Sequence, residues 1–230
     1  MHEKLRRQVS DICNTLDRRG LCDFRRGIVS VYDRKCGVIL IKPDRMSCAE
    51  ITPIDILAVT DDDRGLIDGE GALPEEFEIH MEIYRRIGSI NAIISSNPVY
   101  ATSFAQTGRA IKPYGTTHAE YFGDLIPCTR KLSPNELSSD YLGSYGRILA
   151  DTLTENPDWP QKVGAVLGFS DEVYTVGRTA EEALGRMTAI EGVAKLAYYT
   201  EMLMKNGASG GTRMQEDLLR MRYERENPVE

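Results

Sequence analysis

The sequence predicts a single α/β domain, and three observations support this. Its 230 residues are enough for one such domain with a buried core. Short apolar runs typical of strands alternate with stretches in which apolar residues recur at helical spacing. No linker-like change of composition interrupts this alternation, and there is no internal repeat. We therefore expect a domain over residues 1–206, followed over residues 207–230 by a glycine-rich break and a C-terminal helix.

The N-terminal part predicts a helix followed by strands. Residues 3–19 carry apolar side chains at helical spacing and end beside a glycine, which favours helix termination. Two apolar runs, residues 27–32 and 38–41, flank a polar, glycine-containing turn and predict a hairpin. A further apolar run, residues 54–60, predicts another strand.

The middle of the chain predicts a helix, a strand and a second helix. Pro74 is followed by three glutamates, which suit the first turns of a helix that we expect to end at Gly88. Residues 92–94 predict a buried strand. An apolar helical pattern then runs over residues 98–106, and Asn97 with Pro98 forms a typical N-cap and N1 pair for it.

The C-terminal part predicts helices on either side of a hairpin. Apolar spacing indicates a helix over residues 142–153 and paired strands over residues 163–167 and 173–176. A capping-box pair opens a long helix over residues 179–205. A short charged helix over residues 214–225 closes the chain.

Composition excludes several classes of function. The formal charge of −7 argues against a nucleic-acid binder, which needs a basic face. No segment has the roughly 20 apolar residues of a membrane helix. The charged N-terminus lacks an apolar secretory leader, so we expect a cytoplasmic protein. Five cysteines without a CxxC spacing predict reduced thiols.

The polar segment over residues 115–130 is the strongest local candidate for a functional loop. It contains His118, one of three histidines, together with Glu120 and Arg130. Loops often carry catalytic side chains, but polar loops also serve structural hydrogen bonding, and the residues alone favour neither. The chain has no phosphate-binding glycine motif, nucleophile elbow or HExxH zinc motif.

Several stretches together resemble the class II aldolase family, and in particular its L-ribulose-5-phosphate 4-epimerase branch. They are "GIVSVYD" at 27–33, "GVILIKP" at 37–43, "AIISSNPVYATSFAQTGRAI" at 92–111, "GTTHAEYFGDLIPCTRKL" at 115–132 and "VYTVGRTAEEAL" at 173–184. The resemblance implies a central, mostly antiparallel β-sheet flanked by α-helices on both faces. It also implies a homo-oligomer, a homotetramer in the family, with the C-terminal helix at a subunit interface.

The resemblance implies a zinc ion held by three histidines, but this sequence departs from that pattern. Ser95 and Asn97 stand at two of the ligand positions, and Asp171 stands at the third. Hydroxyl and amide groups are poor zinc ligands, so we expect no zinc and predict no other cofactor.

The remaining site residues follow from the resemblance and from residue chemistry. Two acids, Glu76 and Glu120, match the family's proton-transfer positions, and His118 is a third candidate of this kind. The expected substrate-binding residues are Lys42, Arg45, Thr116, Thr117, Arg130 and Tyr223.

Three functions stay open on this basis. In the first, the chain has lost zinc-dependent epimerase and aldolase chemistry and binds or converts a different small, possibly anionic, molecule. In the second, it is an active sugar-phosphate epimerase (an isomerase) or an aldehyde-lyase-like aldolase that uses an oxygen-ligated Mg²⁺ or Mn²⁺. The carboxylates for that ion would come from Glu75, Glu76, Glu120, Asp171 and Glu172. In the third, it is a non-catalytic oligomer that binds a protein partner.

Overall fold

The computed structural model describes residues 2–22, 26–62, 65–206 and 213–228. Within them, one antiparallel sheet has the strand order β4-β3-β2-β1-β5-β7-β6. The strands are β1 (Ile28–Asp33), β2 (Val38–Ile41), β3 (Leu57–Thr60), β4 (Leu66–Asp68), β5 (Ala92–Ser96), β6 (Ala165–Leu167) and β7 (Val173–Gly177). The helices are α1 (Glu3–Arg18), α2 (Glu76–Arg86), α3 (Val99–Thr107), α4 (Thr116–Tyr121), α5 (Pro134–Ser139), α6 (Tyr141–Leu153), α7 (Trp159–Lys162), α8 (Ala180–Lys205) and α9 (Glu216–Glu226).

Helices cover both faces of the sheet, which confirms the fold class. Strand β2 is apolar throughout because its alternate side chains enter two different cores. In β2, Val38 and Leu40 pack on the face covered by α1, α3 and α8. Ile39 and Ile41 pack on the opposite face, which α2 and α6 cover.

The predicted elements are present, with shifted ends and some additions. The β6–β7 hairpin and the Thr179 cap of α8 are confirmed, with Thr179 Oγ1 accepting from the Glu182 amide at 3.2 Å. The predicted third strand begins only at Leu57. The segment over residues 115–130 is partly helical, because backbone bonds such as Phe122 N to His118 O at 2.8 Å close the turns of α4.

The predicted cap of α3 by Asn97 is wrong. The helix begins at Val99, and Pro98 occupies the cap position without a side-chain bond. Glu191 of α8 caps it instead, since its carboxylate accepts from the amides of Tyr100 and Ala101 at 3.0 Å. A charged acceptor at a helix N-terminus satisfies its free amides and suits its dipole.

The C-terminal helix α9 packs on α4 of the same chain. The side-chain amide of Asn227 donates to the Glu120 carbonyl at 2.9 Å. The glycine-rich break predicted at residues 207–211 lies outside the described residues. In the part of the chain that the structure describes, no helix is both long and apolar enough to span a membrane.

Candidate functional site

The candidate site lies where β5 and β7 meet the start of α2. Successive strand residues point to opposite faces, so Ser95 and Asn97 share the face that α2 and α6 cover. Glu172 precedes β7 and reaches the same face, as does Tyr174 two residues later. Glu76 is the first residue of α2.

An arginine joins the carboxylates of this site. Arg26, which precedes β1, places Nη1 3.0 Å from Oε1 of Glu172 and 4.0 Å from Oε1 of Glu76. Asn97 contacts the same carboxylate. With its amide oriented so that both polar atoms are satisfied, its nitrogen donates to Glu172 Oε1 at 3.0 Å and to the Ser96 carbonyl at 3.2 Å.

Burial and neighbouring negative charge make the two glutamates weak acids. Burial, together with the charges of Glu76 and Asp171, raises the pKa of Glu172 to about 7 although Arg26 opposes the shift. Burial likewise raises the pKa of Glu76, and Asp44 adds to that rise. A carboxyl group that titrates near neutral pH is suited to accept and return a proton.

Polar atoms in the site have no protein partner among the described residues. They are Oε2 of Glu172 and Oγ of Ser95, both buried. A cavity of about 510 Å³ lies nearby, lined by Glu75, Glu78, Asp140, Tyr141 and Leu142. Glu75, in the wall of this cavity, directly precedes Glu76, so the cavity lies beside the carboxylates. The site therefore offers unsatisfied polar groups next to open volume.

The residues at the expected zinc positions do not fit zinc. Ser95 offers a hydroxyl, Asn97 a neutral amide and only Asp171 a carboxylate, whereas zinc takes imidazole, thiolate or carboxylate ligands. The guanidinium of Arg26 also supplies positive charge beside Asp171. Over the described ranges, no group of three or more His, Cys, Asp or Glu side chains is arranged to hold a metal ion.

Glu120 and Tyr223 line a different cavity. It measures about 1040 Å³ and lies between α4, α8 and α9, with Arg186 and Gln161 also in its wall. Arg222 places Nη1 3.6 Å from Oε1 of Glu120. Within one chain, the structure therefore does not bring these two residues to the cavity beside Glu76.

His118 lies inside the protein. It is 3% exposed, and its Nε2 is 2.8 Å from the Asp124 carbonyl. Burial lowers its pKa to about 4. Thr116 and Thr117 are exposed in the first turn of α4.

Two expected substrate-binding cations have protein partners. Lys42 is fully buried, and its Nζ donates to the Pro43 carbonyl at 3.4 Å. Arg130 forms a two-pronged pair with Glu136, at 3.0 and 2.7 Å.

The turn after β2 keeps an unfavourable backbone conformation. Arg45 has φ of 57°, and its side chain is 87% exposed. The resemblance matches residues 42–45 to a family turn that binds phosphate and has glycine at the position of Arg45. Its Nε lies 3.2 Å from the carboxylate of Asp44, which stands in the family's phosphate turn. A side chain in the left-handed region costs about 1–2 kcal/mol.

Replacing Arg45 with glycine is expected to raise the free energy of unfolding by roughly 0.5–1 kcal/mol, because relief of strain exceeds the added chain entropy. Urea denaturation measures this change. Lys112→Gly, at an exposed position where φ is not positive, should lower the free energy of unfolding instead. An equal loss of stability in the two variants would contradict the inference that the backbone at Arg45 is strained.

Sequence reasoning named the acids of this site but missed Arg26. That residue immediately precedes the "GIVSVYD" stretch at 27–33, and its position beside that stretch is the only local signal. Its partner Glu172 lies 146 residues away.

Comparisons with known proteins agree with this architecture. Residues 7–198 match the family described as Class II Aldolase and Adducin N-terminal domain. The chain is 33% identical over 196 residues to L-ribulose-5-phosphate 4-epimerase UlaF of Salmonella paratyphi C, covering 85% of each protein. The same identity and coverage hold for UlaF of Salmonella typhi.

Solved structures show the same fold at lower identity. An L-fuculose 1-phosphate aldolase superposes with a TM-score of 0.79 at 18% identity, covering 98% of this chain and 97% of the other. The L-fuculose-1-phosphate aldolase of Thermus thermophilus gives 0.71 at 22% identity, covering 90% of this chain and 100% of the other.

Proposed function

Because the chain belongs to the class II aldolase and adducin family, we propose that it is a divergent relative of the L-ribulose-5-phosphate 4-epimerases that converts a different small molecule without zinc. One observation carries this proposal. The Arg26–Glu172 pair, with Asn97 bonded to the same carboxylate, lies among the positions that the resemblance assigns to zinc ligands.

In this proposal, the two charged groups divide the work of acid–base catalysis. The guanidinium of Arg26 keeps its charge at all working pH values and is half exposed, so it binds a carbonyl oxygen and the negative charge that develops on it. Glu172, with a pKa near neutrality, removes the proton from the adjacent carbon. Glu76 is the second carboxyl group and returns a proton.

The substrate class follows from the charges around the pocket. Asp44 occupies the turn that corresponds to the phosphate site, and its charge raises the pKa of Glu76. A phosphate dianion there would meet a carboxylate at short range. We therefore propose a neutral or singly charged hydroxyketone or hydroxyaldehyde as substrate.

Solvent deuterium exchange tests this chemistry without knowledge of the product. Chelator-treated protein in D₂O is incubated with L-ribulose 5-phosphate and with unphosphorylated pentuloses, and NMR follows exchange beside the carbonyl. We expect exchange with an unphosphorylated sugar and a loss of roughly 100-fold in Glu172→Gln, because general-base catalysis contributes about 10²–10⁴-fold. The matched control is Glu155→Gln, at an exposed site just after the C-terminal end of α6.

Three results would count against the proposal. Exchange that survives Glu172→Gln removes the assigned base. Exchange that disappears on chelation and returns with Mg²⁺ or Mn²⁺ favours the oxygen-ligated metal enzyme. No exchange and no thermal shift with any sugar favours a non-catalytic protein that binds a protein partner.

We also propose that the chain assembles as a homo-oligomer, as a tetramer by resemblance. The second half of α8 exposes a row of apolar side chains beside α3, and such a surface favours association. Its members are Leu196, Tyr198, Tyr199, Met202 and Leu203. In the oligomer, Glu120 and Tyr223 would serve the site of a neighbouring copy, and His118 would position α4 rather than transfer protons.

Leu203→Glu is expected to dissociate this oligomer, because Leu203 is 64% exposed and a buried charge at its position would be unpaired. Light scattering during size-exclusion chromatography measures the mass. Leu137→Glu on α5, a leucine of similar exposure at 55%, should leave the mass unchanged. A monomeric wild-type protein would contradict the assembly.

A further inference from the structure

The larger of the two cavities described above lies outside the candidate site. It measures about 1040 Å³ and is bounded by α4, α8 and α9. From α8 its wall takes Glu182, Gly185 and Arg186, whose spacing of three and four residues places them on one face of the helix. Its volume is comparable with that of pockets that bind small molecules. We call it the α8 cavity.

The acidic side chains in the wall of the α8 cavity are all paired with arginines. The three pairs are Glu182 with Arg178 at 3.5 Å, Glu120 with Arg222 at 3.6 Å and Glu226 with Arg225 at 3.0 Å. The carboxylate of Glu182 also accepts from the backbone amide of Arg178 at 2.9 Å. The negative charges of this wall are therefore largely compensated.

Arg186 is a cation of the same wall without an ion-pair partner. Its Nη1 donates to the Val176 carbonyl at 2.6 Å, and its Nη2 donates to the Gln161 carbonyl. Both acceptors are neutral, and no carboxylate among the described residues lies within ion-pair distance of the guanidinium. A guanidinium has five N–H donors, so these two bonds leave others for a ligand. Burial lowers the pKa of Arg186, but the group stays charged near neutral pH.

Lys162 is a second cation of this kind, beside the wall. It directly follows Gln161, whose carbonyl bonds Arg186, so both positive groups lie at the end of α7. Its Nζ is 5.9 Å from the ring centroid of Tyr223, a wall residue. Its stem packs there too, since a Cβ built on Gly123 would lie 2.8 Å from Cγ of Lys162 and 3.0 Å from Cγ of Tyr223. Within the described ranges, Lys162 forms no ion pair with a carboxylate.

We propose that the α8 cavity binds a small organic anion whose phosphate or carboxylate group contacts Arg186 and Lys162. Arginine binds both groups through charge-assisted hydrogen bonds, and the anion supplies the counter-charge that the two cations lack. The rest of the ligand meets aromatic surface, because Tyr121 is 49% exposed in the same wall. This site does not depend on the activity proposed above, since neither cation belongs to the candidate site.

Gly185 allows the α8 cavity to be closed without removal of a charge. A Cβ built on Gly185 meets no other described segment within 4 Å although the residue is in the wall, so a larger side chain enters the cavity. Gly192, also within α8, has the same open surroundings but is not in the wall. Gly185→Trp and Gly192→Trp are therefore a matched pair.

Isothermal titration calorimetry of the full-length protein with inorganic phosphate tests the proposal, with sodium chloride holding the ionic strength constant. We expect saturable binding by the wild type and by Gly192→Trp. Affinity should be at least about tenfold lower in Gly185→Trp and in Arg186→Gln, because both lose charge-assisted hydrogen bonds to the anion. Lys162→Gln should also bind more weakly, and like Gly185→Trp it keeps the two carbonyl bonds of Arg186.

A parallel titration with acetate distinguishes the two kinds of anion. Binding of phosphate alone, lost in Gly185→Trp, supports a phosphate ester as the ligand. Binding of acetate with comparable affinity, lost in the same variant, supports a carboxylate.

Three results would overturn the proposal. One is the absence of saturable binding of either anion by the wild type. Another is unchanged affinity in Gly185→Trp, which would place the anion elsewhere on the protein. The third is an equal loss in Gly192→Trp, which would show an effect on α8 as a whole. None of these results depends on deuterium exchange at the candidate site, so the two proposals can fail separately.

Discussion

Glu172→Gln is expected to make the folded protein more stable above pH 7. In the native protein the pKa of Glu172 is raised to about 7, whereas an unfolded glutamate titrates near 4.3. The folded state therefore binds the proton more tightly, and the free energy of unfolding falls as pH rises between these values. Each pKa unit is worth about 1.4 kcal/mol, so the fall is about 4 kcal/mol. Glutamine does not titrate, so the free energy of unfolding of Glu172→Gln should not show this fall with pH.

Urea denaturation of both proteins from about pH 4.5 to about pH 8 measures this difference in stability. The pH dependence that Glu172 contributes falls between its pKa in the unfolded state and its pKa in the folded state. The stability of Glu172→Gln minus that of the wild type should grow across the window and then become constant. Glu155→Gln, at an exposed position, should give a difference that does not depend on pH. A flat difference for Glu172→Gln would show that this carboxyl group is not held protonated by burial.

Loss of stability in acid is expected to depend on His80. The ring is fully buried between the sheet and α2, its Nδ1 is 2.8 Å from Ser30 Oγ, and its Nε2 has no partner among the described residues. Burial lowers its pKa to about 3 from an ordinary value near 6.5. The unfolded state thus binds the proton more tightly, and stability is lost as pH falls from 6.5 toward 3. At about 1.4 kcal/mol per unit, the loss approaches about 5 kcal/mol.

Denaturation of His80→Asn measures this contribution, since the amide keeps a polar atom near Nδ1 but does not titrate. The variant should lose less stability than the wild type between about pH 6.5 and about pH 3. His118→Gln gives the matched comparison, because the pKa of His118 is lowered only to about 4. The difference in stability between His118→Gln and the wild type should stop changing near pH 4. Identical acid profiles for wild type and His80→Asn would contradict the assignment.

Local patterns predicted most of the fold. The apolar runs of β1, β2 and β5 and the capping pair of α8 are visible within windows of a few residues. Such elements follow from backbone geometry and the spacing of apolar side chains, which the chain carries locally. The helix α4 was missed because its six residues form less than two turns, too few for a periodic pattern.

The site was only partly predictable. By resemblance, the sequence predicted that Ser95, Asn97 and Asp171 stand at the positions of zinc-binding histidines, and it named Glu76 as an acid. It predicted a cap role for Asn97, whereas the side chain reaches Glu172 and the cap comes from Glu191. Both partners are distant in sequence, so no local rule could identify them.

The sequence by itself predicted the family and most of the elements, and the resemblance assigns no histidine to the three expected metal positions. Tertiary structure alone decided that Arg26 meets Glu172 and that Asn97 contacts the same carboxylate. The physical reason is that pKa and reactivity depend on burial and on neighbouring charges, and both are set only when distant segments pack together.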